Sequence, residues 1–199
     1  MLRFLGKQFR KPSGFFGRIV ERIMIKGNSS AYDKIIPALS IQKGDKVFEI
    51  GYGHGLGINR IVTEYDCTVS GIDFSELMFR QASKRNKKII ADKRVSLEFG
   101  DLLIADIGSE KFDRIFCVNV IYFWDDLSLA FEKIFKALTN GGVFCIYMLT
   151  PEVLVKLKVP KHGIFNRYSV EEVMLSLEKS GFKDVTRLFG KGSVIRCRK

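Results

Sequence analysis

Apolar positions along this chain follow two alternating periodicities. Compact apolar or alternating runs at 47–50, 68–72, 95–99, 113–118 and 143–149 read as strands, and the last is apolar almost throughout, as a central strand is. Helical spacing of three and four fills the gaps, at 58–65, from the cap Ser75 (with Glu76 in its first turn) through about Ile90, at 126–138 before Thr139-Asn140-Gly141-Gly142, and from the cap Ser169 to Ser180, closing at Gly181. Residues 184–189 and 193–198, joined by Gly190-Lys191-Gly192, predict a terminal hairpin. Upstream, Phe15, Phe16, Ile19, Val20, Ile23 and Met24 recur at helical spacing, and a second short helix is expected over 30–39. Strands alternating with helices and ending in a hairpin predict an α/β three-layer domain.

The junction after the first strand carries the chemistry. Its sequence, VFEIGYGHGLG from Val47 to Gly57, places Gly51, Gly53 and Gly55 where a strand turns sharply into a helix. Glycines there are expected to let the backbone approach a ligand that a Cβ would meet. Asp73 ends the second strand, where a carboxylate can accept both hydroxyls of a ribose. The pair describes a nucleoside-binding βαβ unit. A dinucleotide fingerprint requires a glycine or alanine at the sixth position, but Leu56, Ile58 and Arg60 stand there, which weakens a nicotinamide dehydrogenase.

The spacing present is acid-x-G-x-G-x-G counted from Glu49, and it resembles motif I of the class I S-adenosylmethionine (SAM)-dependent methyltransferases. From Val47 to the C-terminus the element order also resembles their three-layer α/β/α Rossmann-like fold, a seven-stranded mostly parallel sheet with an antiparallel C-terminal hairpin. The resemblance implies SAM as cofactor. Glu49 would help hold its methionyl amino group, Asp73 its ribose, and Phe74 would border adenine. Gly100-Asp101-Leu102 matches the position that grips adenine through the Asp101 carboxylate and the next backbone N–H. Asn119, at the end of the fourth strand, would turn its carbonyl to the amino group. A broader likeness is to the ubiquinone/menaquinone-biosynthesis group.

Tyr122, Phe123 and Trp124 follow Asn119 and could wall a sulfonium cation. The segment 150–168 mixes apolar and aromatic residues with Lys156, Lys158, Lys161 and Arg167, a cover suited to a small, partly hydrophobic and even anionic acceptor; His162 and Tyr168 belong to its substrate side. If the acceptor must lose a proton, the candidate bases are His162, Tyr32 in the N-terminal helical segment, and His54 in the glycine loop. No spacing suggests a metal box, a nucleophile triad or a phosphate-binding lysine loop.

Composition narrows the setting. The 199 residues suffice for one globular domain, read as a helical lid at 1–40 and a SAM-binding methyltransferase domain at 41–199. The net charge of +11 invites polyanions, and the first 26 residues alone hold seven basic side chains against Glu21. An RNA methyltransferase is therefore the alternative, although the fourth strand ends N-V-I-Y rather than in the Asn/Asp-Pro-Pro-aromatic signature of amino-methylating nucleic-acid enzymes. A SAM-binding protein without turnover is another. Charges interrupt every apolar run before it reaches a membrane span, and Lys7, Arg10 and Lys11 break any leader-like core, so a cytoplasmic location is expected, with at most weak peripheral membrane contact through the basic N-terminal helix. Cys67, Cys117, Cys145 and Cys197 are spaced as buried hydrophobes.

Overall fold

The computed structural model describes residues 29–109, 111–156, 166–188 and 192–199. The expected helix around Phe15–Met24, His162 and the Gly190-Lys191 turn lie outside them. Helix α1 (residues 29–39) leads into β1 (Lys46–Ile50), α2 (Leu56–Glu64), β2 (Thr68–Asp73), α3 (Glu76–Arg85), α4 (Lys87–Ala91), β3 (Val95–Phe99) and β4 (Phe112–Val118). There follow α5 (Leu127–Ala137), β5 (Leu138–Met148), α6 (Pro151–Lys156), α7 (Val170–Lys179), β6 (Lys183–Leu188) and β7 (Ser193–Arg198).

The seven strands form one sheet in the order β3-β2-β1-β4-β5-β7-β6. The first five run parallel, and β7 enters antiparallel between β5 and β6. Side chains alternate across β1, so its faces feed different layers. Phe48 and Ile50 join Phe131 and Ile134 of α5 and Val173 and Leu177 of α7. Val47 points the other way, into Ile35, Ile36 and Leu39 of α1 and Ile58, Ile61 and Val62 of α2. Each such apolar side chain contributes roughly 1.5–3 kcal/mol when fully buried. Glu49 shares the face of Val47, so the one acid in β1's interior is pressed into an apolar layer.

Helix caps behave as the sequence implies. Ser75 accepts from the Met78 amide, Asp126 from Ser128 and Leu129, and Ser169 with Glu172 forms a reciprocal capping box. Three expectations change. The helix after Ser75 is broken at Asn86, which is buried and donates from Nδ2 to the carbonyls of Gly55 and Ala82, at 3.2 and 3.0 Å. That side chain competes with the helix for its own backbone and ties its end to the glycine loop. Thr139-Asn140-Gly141-Gly142 does not stand outside β5 but forms its irregular start, where the pairing with β4 shifts register and Gly141 takes φ +77°. Finally, the cover expected over 150–168 opens with a short helix, Pro151–Lys156, that its sequence pattern did not announce.

Candidate SAM-binding site

Parallel strands of this kind present their carboxyl ends as a ligand-binding crevice. Of the candidate cofactor residues, Gly51, Asp73, Phe74, Asp101 and Leu102 line it, whereas Glu49, Gly53, Gly55 and Asn119 lie behind or beside it and are not part of its lining. Backbone turns after β1, β2, β3 and β4 surround a cleft of about 250 Å3. Ile50 and Gly51 line it from β1, Asp73 and Phe74 from β2, Asp101 and Leu102 from β3, and Val120, Phe123 and Trp124 from β4. Phe74 and Phe123 meet edge-on with centroids 6.2 Å apart. Asp125, Asp126, Leu103 and Leu129 also line the cleft, and sequence reasoning missed all four. The Asp125-Asp126 pair directly after the aromatic run was the available signal. Among the described lining residues the charged ones are four aspartates, so this mouth favours a cation and disfavours phosphates.

The three loop glycines all have positive φ, but for different reasons. A Cβ on Gly51 would lie 2.4 Å from Val120, and one on Gly55 would lie 2.5 Å from Asn86 and 2.9 Å from the Ala82 side chain. These two permit protein packing rather than a direct approach by ligand. Only at Gly53 does the added carbon meet nothing within 4 Å. The loop is pinned from three directions. Asp73 Oδ2 accepts the Gly53 N–H at 2.8 Å, Asn86 takes the Gly55 carbonyl, and Tyr52 donates to the Glu98 carbonyl at 2.9 Å. Tyr52 and Asn86 are loop-shaping residues that no motif announced.

Asp73 is 6% exposed, and its other oxygen accepts the Ser75 N–H at 2.8 Å. Burial raises its pKa to about 6, and the two amide bonds work against that rise. Each oxygen retains room for a further donor. Asp101, by contrast, is exposed and accepts from the Leu103 amide at 2.9 Å.

Glu49 is wholly buried. The Tyr32 hydroxyl donates to Oε1 at 2.8 Å, while Oε2 has no partner. Burial is the main reason its pKa is pushed up to about 8; the Tyr32 bond lowers it and the nearby Asp73 charge raises it. Tyr32 itself is buried, with its pKa raised well above the usual phenol value by burial and by Glu49. A hydroxyl so occupied is poorly placed to abstract a substrate proton. Asn119 adopts φ +58°, a conformation that non-glycine residues seldom hold outside special sites and that asparagine tolerates best. Its amide donates to the Tyr147 carbonyl at 2.9 Å.

The proposed substrate residues separate. Trp124 lines the cleft, but Tyr122 does not. Tyr122 is 2% exposed and bridges strand ends, donating to the Asn119 side chain and the Leu149 carbonyl at 3.2 Å and accepting from the Leu149 amide. Tyr168 donates to the Trp124 carbonyl at 2.6 Å, beside the Asn166 side chain, which donates to the same oxygen at 2.8 Å. Both hold the turn that carries Trp124. His54 is 8% exposed with neither ring nitrogen partnered, and burial with the Arg85 charge lowers its pKa to about 4. That value makes it a weak proton acceptor near neutrality. The four cysteines are free and buried, and no helix among the described residues is long and apolar enough to cross a membrane.

These features fit the methionyl and ribose ends of SAM: an open approach at Gly53, an unpartnered buried carboxyl oxygen, and a second carboxylate at the loop. Comparison with known proteins agrees. A family model described as "Methyltransferase domain" matches residues 48–144. The chain is 28% identical over 164 residues to the uncharacterized methyltransferase YdaC of Bacillus subtilis (strain 168), covering 82% of this chain and 85% of that one. It is 27% identical over 109 residues to the sterol 24-C-methyltransferase of Debaryomyces hansenii, covering 55% of this chain but only 29% of that one. The fold superposes with a TM-score of 0.70, at 24% identity, on phosphoethanolamine N-methyltransferase 2 of Haemonchus contortus in complex with SAM, over 80% of this chain and 38% of that one. These matches support the broad family and do not specifically support the ubiquinone/menaquinone-like group within it. With the strand order, the acid-x-G-x-G-x-G loop and the cleft at its mouth, the sequence matches make the chain similar to the class I S-adenosylmethionine-dependent methyltransferases, and the structural match shows their fold.

Proposed function

We propose that the chain methylates a small, partly hydrophobic acceptor at the mouth of this cleft. The observation that carries the reading is the cradle itself, in which Asp73 fixes Gly53 and Glu49 presents an unpartnered buried oxygen behind the same loop. Asp73 would accept the ribose hydroxyls, Phe74 would border adenine, and Asp101 with the Leu102 N–H would select its edge. Glu49 and the Asn119 carbonyl would take the amino group. Bound SAM supplies an already activated methyl group, so the protein's work is alignment, which is worth roughly 7–11 kcal/mol. Phe123 and Trp124 would face the sulfonium with their ring quadrupoles and keep water out. The aspartates at the cleft weigh against the RNA alternative, despite the net charge of +11.

Calorimetric titration with SAM, its demethylated product S-adenosylhomocysteine and NAD tests the reading. Binding of the first two in the micromolar range without the third is expected, and NAD binding alone would overturn it. His162 is the proposed base. His162→Ala is expected to bind SAM as the parent does while methyl transfer falls about 100-fold or more. Full turnover in that variant would remove His162 from the chemistry.

A further inference from the structure

Glu49 is a costly residue to bury, and its surroundings say what it waits for. It stands on the apolar α1–α2 face of the sheet, with no exposed surface. A Cβ at Gly57 would lie 2.8 Å from both carboxyl oxygens, so α2 packs directly on the carboxyl group. The titratable groups near it are Tyr32 from α1, Asp73 from β2, Tyr52 from the glycine loop and Cys117 from β4. From α2 the Ile58 backbone amide favours the charged carboxyl, but no hydrogen bond reaches Oε2. None of these is a cation. Tyr32 occupies Oε1, leaving Oε2 as the acceptor without a partner.

We propose that Tyr32 is a positioning residue acting through Glu49, and that arrival of a cationic amino group at Oε2 expels a proton from the Glu49 carboxyl. The inference rests on the reading that SAM occupies the glycine loop. In the exchange, the carboxyl O–H bond breaks and its proton passes to solvent. The carboxylate then accepts an N–H of the incoming ammonium while keeping the Tyr32 hydrogen bond. A neutral carboxyl in the free protein becomes half of a buried, hydrogen-bonded ion pair. The direction follows from linkage. Burial raises the Glu49 pKa to about 8 in the free protein, and a bound cation lowers it, so affinity climbs with pH until that value is passed. Helix α1 thereby gains a part in binding without its tyrosine touching the ligand.

The test uses S-adenosylhomocysteine, which carries the same amino group and does not turn over. It is titrated into the full chain at pH 6.5 in phosphate and in Tris, whose ionisation enthalpies differ. The parent should release close to one proton per ligand bound. Glu49→Gln should release only the small fraction that Asp73 gives up, about a quarter of a proton, and bind at least tenfold more weakly. Tyr32→Phe removes a bond that favours the carboxylate, so its affinity–pH curve should move to higher pH by about one unit, a tenfold loss at pH 6.5. A purely structural Tyr32 would leave the position of that curve unchanged. Binding with no proton exchanged sinks the inference alone, as does a Tyr32→Phe curve superposing on the parent's. No binding at any pH sinks the cofactor reading first.

Discussion

Asp73→Ala is expected to abolish measurable SAM binding while leaving the protein folded. The carboxylate would accept both ribose hydroxyls, and hydrogen bonds to a charged acceptor are worth roughly 1.5–3 kcal/mol each. Losing two weakens affinity on the order of 10²–10⁴-fold, before counting disorder in the loop whose Gly53 amide Asp73 holds. The effect on stability is smaller because opposing terms cancel. The variant leaves the Gly53 and Ser75 amides short of an acceptor, at about 1–3 kcal/mol each. It also removes a carboxylate whose pKa burial has raised from 3.8 to about 6, a penalty of about 3 kcal/mol at neutral pH. Thermal melts should therefore shift by only a few degrees, while calorimetry shows no saturable heat. In the parent protein, binding should weaken as pH falls through about 6, because a protonated Asp73 is a poorer acceptor. Affinity within threefold of the parent would dismiss the ribose assignment.

The fold was legible because strand and helix periods separate cleanly here. Five apolar runs became β1 to β5, and residues at the carboxyl ends of the first four arrived at one cleft because parallel strands all point the same way. Strand order was not legible, since β7's insertion between β5 and β6 is set by long-range pairing that no local spacing encodes. The break at Asn86 was hidden for the same reason: its cause is a carbonyl 31 residues away. In the site, Glu49, Gly53 and Asp73 could be picked out by type and spacing. What a side chain does after burial could not be read. Tyr122 and Trp124 are near neighbours in one aromatic run, yet one bridges two strand ends and the other lines the cleft. Gly51 and Gly55 belong to the motif, but the bodies they make room for are Val120, Ala82 and Asn86. The Tyr32–Glu49 bond joins a helix to a strand whose sequences carry no mutual signal.

Glu49→Gln is expected to make the protein more stable as it makes it a worse binder. With a pKa of 4.5 in the unfolded chain and about 8 in the fold, Glu49 must stay protonated near neutrality, at a cost of about 3 kcal/mol at pH 7. The sign is that of a raised carboxyl: the folded state holds the extra proton, so its stability is greatest below pH 4.5 and is lost as pH rises through 8. Glutamine is neutral throughout and keeps an oxygen for the Tyr32 hydroxyl, while its amide N–H groups take over the unpartnered position of Oε2. A melting temperature higher by roughly 5–10 °C at pH 7 follows for a chain of this size. The gap should shrink to about 1 kcal/mol or less at pH 5, where little energy is needed to protonate glutamate. Asp73 titrates in both proteins and cancels from the difference. Melts of the two proteins from pH 5 to 8 decide the matter, and a stability difference that stays flat with pH would mean that Glu49 is already ionised in its apolar layer. A steadily widening difference would mark Glu49 as a residue kept against the interest of the fold, as groups that serve a ligand commonly are.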